Sequence, residues 1–153
     1  MACKYYQTDE LQKMIDWNNL MIMPRYAGGH DSQMTGLFKE STLIAHWNEG
    51  GYDGMVATCV MLSDGKFAIY NDYYGSCSGC DSWEDASDDS VRSMCINLAN
   101  SAYVFESINN IVAFLKSDTK DGYSWSSASK GLLEEILQNQ SIIRDIKIEN
   151  IIS

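Results

Sequence analysis

Met55-Val-Ala-Thr-Cys-Val-Met-Leu62, Ser63-Asp64-Gly65 and Lys66-Phe-Ala-Ile-Tyr-Asn-Asp-Tyr-Tyr74 follow one another without a break, and this stretch decides the fold. Two runs rich in β-branched and aromatic residues flank an Asp-Gly pair. That arrangement is a strong hairpin signal, because Asp-Gly suits the tight turns that join antiparallel strands. The first run is apolar at odd and even positions alike. Such a strand belongs inside a sheet that is covered on both faces.

Upstream, Thr8 or Asp9 can cap a first helix. Leu11, Met14, Ile15 and Asn18 then recur at helical spacing, and Pro24 stops the run. Residues 25–36 read as a loop, 37–47 fit helix or strand, and 48–54 read as a second loop. Downstream, Asp88, Asp89 or Ser90 can cap a helix with the stripe Val91, Met94, Cys95, Leu98 and Ala102. Ser107 caps another, with Ile108, Ile111, Val112 and Leu115 inward. Residues 117–127 read as a polar loop with Tyr123 and Trp125. Ser127 or Ser129 opens a last helix with Leu132, Leu133, Ile136 and Leu137 inward. The tail from Ile142 to Ile152 carries six isoleucines, and Ile146-Lys-Ile148-Glu149 reads as an edge strand. Strands and helices do not alternate regularly. The expected architecture is therefore α+β: a small antiparallel sheet around a central hairpin, about residues 55–74, packed against several helices in one domain spanning 1–153.

The chain has 153 residues, 45% of them hydrophobic, with one proline and a net charge of −10. That is enough apolar surface for a core without disulfide or metal staples. The charge repels nucleic-acid phosphates and anionic bilayers, and no Lys/Arg cluster offsets it. It would attract a basic groove on another protein, and it also promotes solubility. No run is apolar enough to span a bilayer. The N-terminal Met-Ala-Cys-Lys-Tyr-Tyr-Gln lacks the apolar core of a signal peptide, so a cytoplasmic location is expected. The five cysteines, Cys3, Cys59, Cys77, Cys80 and Cys95, are an odd set that suits reduced thiols.

Chemistry concentrates between Tyr70 and Asp89. Cys77 and Cys80 form a C-x-x-C between a strand and a helix, where a redox thiol pair could sit. Asp81, Glu84 and Asp85 oppose thiolate formation there, and no later proline supplies the cis-proline of a thioredoxin-like site. Zinc is the other use of such a pair. It needs two further ligands, for which Cys95, Cys59, His30, His46 and Asp81 are the candidates. Gly75 and Gly79 equally make the segment a tight turn with small packed cysteines. Asp81, Glu84, Asp85, Asp88 and Asp89 run without an intervening Lys or Arg, and Asp72 precedes them. Carboxylates so spaced could imitate a row of phosphates, or form a helix cap and a solvated face. The spacing does not match a calcium loop. Tyr73, Tyr74 and Trp83 crowd the same segment and are the residue types that anchor interfaces.

Catalytic patterns are sparse. His30, Asp31 and Ser32 contain the residue types of a hydrolytic triad, but adjacency in sequence is not triad geometry. Asp53 with Asp64-Gly-Lys66 faintly resembles a metal-dependent nuclease pattern, and the Asp-Gly pair is better explained as the hairpin turn.

The run Asp72-Tyr-Tyr-Gly-Ser-Cys-Ser-Gly-Cys-Asp-Ser-Trp-Glu84, behind the Ser-Asp-Gly-Lys hairpin, resembles a segment of small uncharacterised proteins of phages and other mobile elements. It covers about a fifth of the chain and transfers no residue roles. In size and charge the chain is similar to anti-CRISPR and other anti-defence inhibitors. The expectation is a non-enzymatic acidic inhibitor that docks on a basic, nucleic-acid-binding surface of a host protein, such as a CRISPR effector or another defence nuclease. Asp72, Asp81, Glu84, Asp85, Asp88 and Asp89 would supply the charge, with Tyr73, Tyr74 and Trp83 as anchors. The alternative is a small zinc or thiol-redox protein centred on Cys77 and Cys80.

Overall fold

The computed structural model describes residues 5–25, 30–50, 54–74, 86–121 and 126–139. Strand β1 (Tyr5–Tyr6) and a 3-10 turn (Asp9–Met14) lead into helices α1 (Trp17–Ile22) and α2 (His30–Thr35). Strands β2 (Thr42–Asn48), β3 (Gly54–Met61) and β4 (Phe67–Tyr74) follow. Then come α3 (Asp88–Ser101), β5 (Tyr103–Phe105), α4 (Ile108–Asp121) and α5 (Ser126–Gln138). No helix among the described residues is long and apolar enough to cross a membrane.

The hairpin forms where the Asp-Gly pair places it. Gly65 takes a φ of 88°, a region that side chains disfavour. Lys66 N–H donates to Asp64 Oδ1 at 3.0 Å, and Leu62 N–H donates to the Lys66 carbonyl at 2.7 Å. Around it lies a five-stranded sheet in the order β1-β5-β4-β3-β2, antiparallel at every pairing. As its doubly apolar sequence requires, β3 is interior to the sheet and buried on both sides.

Helices cover both faces. Alternation sends Val56, Val60, Ala68, Tyr70 and Val104 to one face, where the 3-10 turn, α1, α2 and α3 bring Leu11, Leu20, Met34, Val91, Cys95 and Leu98. Ala57, Cys59, Phe67, Ile69 and Phe105 point to the other face, against Ile108, Ile111 and Leu115 of α4 and Leu132 and Ile136 of α5. A register shift between Leu43 and Ala45 turns both Ile44 and Ala45 toward this second core. Tyr70 shows how tightly the first core closes. Its ring meets Phe38 edge-on at 5.5 Å, and its hydroxyl donates to the Met34 carbonyl at 2.6 Å. Burying one such large apolar side chain contributes about 1.5–3 kcal/mol.

Several local expectations are corrected. The first helix is two pieces. Thr8 does cap it, its hydroxyl accepting from Glu10 N–H at 3.1 Å. At Ile15, however, the backbone turns extended and bridges Phe38, with Asp16 N–H donating to the Leu37 carbonyl and Lys39 N–H to the Met14 carbonyl, both at 2.8 Å. A nonlocal strand pairing thus outweighs helix continuation. The segment expected as a loop over 25–36 contains α2, and 42–48 resolves to strand. Ser87, not Asp88, Asp89 or Ser90, caps α3, its Oγ accepting from Ser90 N–H at 3.2 Å. Helix α4 extends through Asp121 into the expected loop of 117–127, and α5 begins at Ser126 with Ser129 buried inside it. Leu137 was expected inward and is 40% exposed. The expected tail strand lies outside the described residues.

Candidate functional site

The acidic segment is anchored by the two elements that flank it. Strand β4 ends with Asp72, Tyr73 and Tyr74. Tyr73 pairs with Met55 and points toward the α4–α5 side, while Asp72 pairs with Val56 and points toward α3. Strand alternation therefore separates two residues expected on one binding surface. Tyr73 is 53% exposed and fit to meet a partner. Asp72 is half-buried.

On the other flank, α3 opens with Asp88 and Asp89, both exposed. Their charge suits the positive end of the helix dipole. Arg25 holds this start in place. It donates through Nη1 to the Ala86 carbonyl at 2.8 Å and through Nη2 to Asp88 Oδ1 at 2.7 Å, and also reaches the Met21 carbonyl at 3.4 Å. One buried-side guanidinium thus ties the end of α1 to the cap of α3 and offsets part of the Asp88 charge. Asp72, Asp88 and Asp89 end up on the α3 side of the sheet. Cys77, Cys80, Asp81, Trp83, Glu84 and Asp85 lie outside the described residues, as does the side chain of Tyr74.

Of the candidate further ligands for zinc, the described Cys59, Cys95 and His46 are dispersed, while Asp81 and the side chain of His30 lie outside the described residues. Cys59 is fully buried in the α4–α5 core, and Cys95 is fully buried in the opposite core, so the sheet stands between them. Burial pushes both thiols above their ordinary pKa, far above it at Cys59. Cys95 Sγ also accepts from the buried Gln33 Nε2 at 3.6 Å. No group of three His, Cys, Asp or Glu side chains converges among the described residues.

His46 is engaged elsewhere, in a network that sequence adjacency concealed. Its Nε2 stands 2.6 Å from Asp31 Oδ1, and its Nδ1 stands 2.8 Å from Thr58 Oγ. Asn48 Nδ2 donates to the same Asp31 oxygen at 2.9 Å. A carboxylate only accepts, so Nε2 carries a proton, and in the neutral imidazole the Thr58 hydroxyl then donates to Nδ1. Asp31 therefore pairs with His46, fifteen positions away, while the side chain of His30 lies outside the described residues. The residue types are again those of a hydrolytic triad. Yet Thr58 is fully buried in an interior strand, and no substrate carbonyl can approach its hydroxyl. The network clamps α2 onto β2 and β3. The period-two pattern of β2, which puts His46 and Asn48 on one face, was the only sequence signal that could have found it.

Of the nuclease-like pattern, Asp64 makes the hairpin turn, and Asp53 lies outside the described residues. The fold is thus a helix-covered antiparallel α+β sheet whose flanks present acids and an exposed tyrosine. No family model, curated protein or solved structure matches the chain.

Proposed function

We propose that the chain is a non-enzymatic acidic binding protein. It docks on a basic, nucleic-acid-binding surface of a host protein and blocks it, as a phage anti-defence inhibitor would. The observation that carries this reading is the start of α3. Asp88 and Asp89 are exposed on the first turn of a 14-residue helix whose beginning is pinned by the Ser87 cap and Arg25. Charges on a rigid helix end hold their spacing when a partner arrives, so little ordering entropy is lost. The chain's net charge of −10 extends the attraction beyond contact distance. Lysine- or arginine-rich grooves evolved for phosphates offer the complementary field. Residues 75–85, between these anchors, carry Asp81, Glu84 and Asp85 and complete the acidic run.

The test is capture of a partner from host lysate on immobilised full-length chain, identification by mass spectrometry, and competition against that partner's own nucleic acid. Displacement of the nucleic acid is expected, with affinity falling steeply as ionic strength rises. A complex indifferent to salt, or one that leaves nucleic-acid binding untouched, overturns the reading.

A further inference from the structure

We propose that the cavity between the 3-10 turn and the β3–β4 hairpin binds a free, zwitterionic amino acid with an aliphatic side chain. The proposal rests on this cavity and is independent of the function proposed above.

The cavity measures about 260 Å³, and every residue that lines it is among the described ones. It falls below the usual volume of a drug-sized site and so suits a smaller molecule. Strand alternation sets its position. Tyr6 pairs with Val104, and Val104 with Ala68. Lys66 lies two positions before Ala68, so Tyr6, Val104 and Lys66 share the face on which the 3-10 turn packs. The turn contributes Leu11 and Met14, which join Leu62 and Val104 as the apolar part of the lining. Leu11, Leu62 and Val104 are each at most 2% exposed, so this wall is part of the first core and already fixed.

Charges of both signs stand in the same lining, on Glu10, Asp64 and Lys66. Lys66 Nζ lies 5.3 Å from the centre of the Tyr6 ring. A hydrogen bond with Tyr6, and after it the charges of Glu106 and Asp64, raise its pKa, so it is an ammonium at neutral pH. Thr8 Oγ accepts from Glu10 N–H and keeps its own proton to donate. Asp64 Oδ1 accepts from Lys66 N–H, which leaves its second oxygen to accept from a ligand. The Glu10 side chain is exposed, and among the described residues nothing pairs with its carboxylate. An α-amino acid answers each of these groups. Its ammonium meets Glu10 and Asp64, its carboxylate meets Lys66 and the Thr8 hydroxyl, and its side chain lies along the apolar wall. A simple anion is opposed by the net charge of −10 and leaves both acids unmatched. An organic cation is opposed by Lys66 and leaves it unmatched. A zwitterion carries no net charge and satisfies both signs.

The experiment titrates L-leucine into the isotope-labelled full chain and follows the amide resonances of Leu11, Leu62 and Lys66. Three probes each lack one group of leucine: isocaproate lacks the ammonium, isoamylamine the carboxylate and glycine the side chain. Saturable shifts at those amides are expected with leucine, with a Kd of about 1 mM or tighter. Affinity should be at least tenfold lower for each of the three probes. Glu10→Gln and Lys66→Met should each weaken leucine by about tenfold, since each removes a charge-assisted hydrogen bond. A circular-dichroism melt checks that both variants fold. Glu10 is exposed, so Glu10→Gln keeps the fold and decides the matter even if Lys66→Met does not. Absence of saturable shifts up to the solubility of leucine overturns the proposal. So do shifts away from the cavity, a probe that binds as tightly as leucine, or leucine binding that Glu10→Gln leaves unchanged.

Discussion

His46 Nε2 lies 2.6 Å from Asp31 Oδ1 and joins the edge strand β2 to the first turn of α2. The other nitrogen of the neutral ring accepts a hydrogen bond from the Thr58 hydroxyl, which has no access to solvent. Losing the imidazole strands a buried hydroxyl, at a cost of about 1–3 kcal/mol. His46→Ala should therefore lower the urea midpoint clearly. Thr58→Val, which removes the hydroxyl and keeps the shape, should cost less. A double-mutant cycle of Asp31→Ala with His46→Ala should return a coupling of about 0.5–3 kcal/mol. Strict additivity would show that the pair does not hold α2 in place.

Alkaline pH should loosen the fold before any surface group explains it. Cys59 and Tyr70 are fully buried, and burial raises each above its ordinary value of 9.0 and 10.0 respectively; Cys95 moves the same way. A raised folded pKa means the native state keeps protons that the unfolded chain releases. Stability is then fully present below pH 9 and falls as pH rises, by about 1.4 kcal/mol per pH unit for each group past its unfolded pKa. Urea titrations at pH 7, 8, 9.5 and 10.5 should show a plateau and then a decline. In a second readout, a thiol reagent at pH 8 should leave Cys59 and Cys95 unmodified in the native chain and label both in urea.

The hairpin was legible because turn chemistry is local. Asp64-Gly65 specifies a turn whatever surrounds it, and the doubly apolar run of β3 implies two cover layers. The stripes of α3, α4 and α5 were legible for the same reason. The break at Ile15 was not, because the partner that turns it extended, Phe38, lies far along the chain. Strand β5 is three residues long and too short to carry a pattern. The site was half legible. Acid composition named Asp72, Asp88 and Asp89, and strand alternation sets Tyr73 on the face opposite Asp72, but only the pairing shows which face carries α3. The Asp31–His46 pair depends on the docking of α2, which no sequence spacing encodes.

Gly131 should tolerate no side chain. It sits on α5 against the indole of Trp47, and a Cβ built there overlaps that ring. Alanine would improve helix propensity by about 0.8–1 kcal/mol. The clash with a half-buried indole packed in the second core should outweigh that gain, since overpacking costs about 1–3 kcal/mol. Gly131→Ala should therefore lower the melting temperature and shift Trp47 fluorescence. Trp47→Leu in the same chain should restore part of the loss by making room.

The two acids that open α3 should separate stability from binding. Asp88 is 2.7 Å from Arg25, which also holds the Ala86 carbonyl. Lysine at 88 would set two cations together at the positive end of a helix, so Asp88→Lys should destabilise the fold and weaken binding at once. Asp89 is exposed beside it, outside that contact. Asp89→Lys should cost stability only through the helix dipole, about 0.3–1 kcal/mol. It nonetheless changes the docking face by two charges. If α3 presents the binding surface, Asp89→Lys should reduce affinity for the captured partner several-fold at low salt. The deficit should shrink as salt rises, while the melting temperature moves by a few degrees at most. Asp64→Lys at the distant hairpin turn makes the same change in net charge and should have a much smaller effect. Equal losses from both variants would mean that only the overall charge matters and that α3 is not the face that docks.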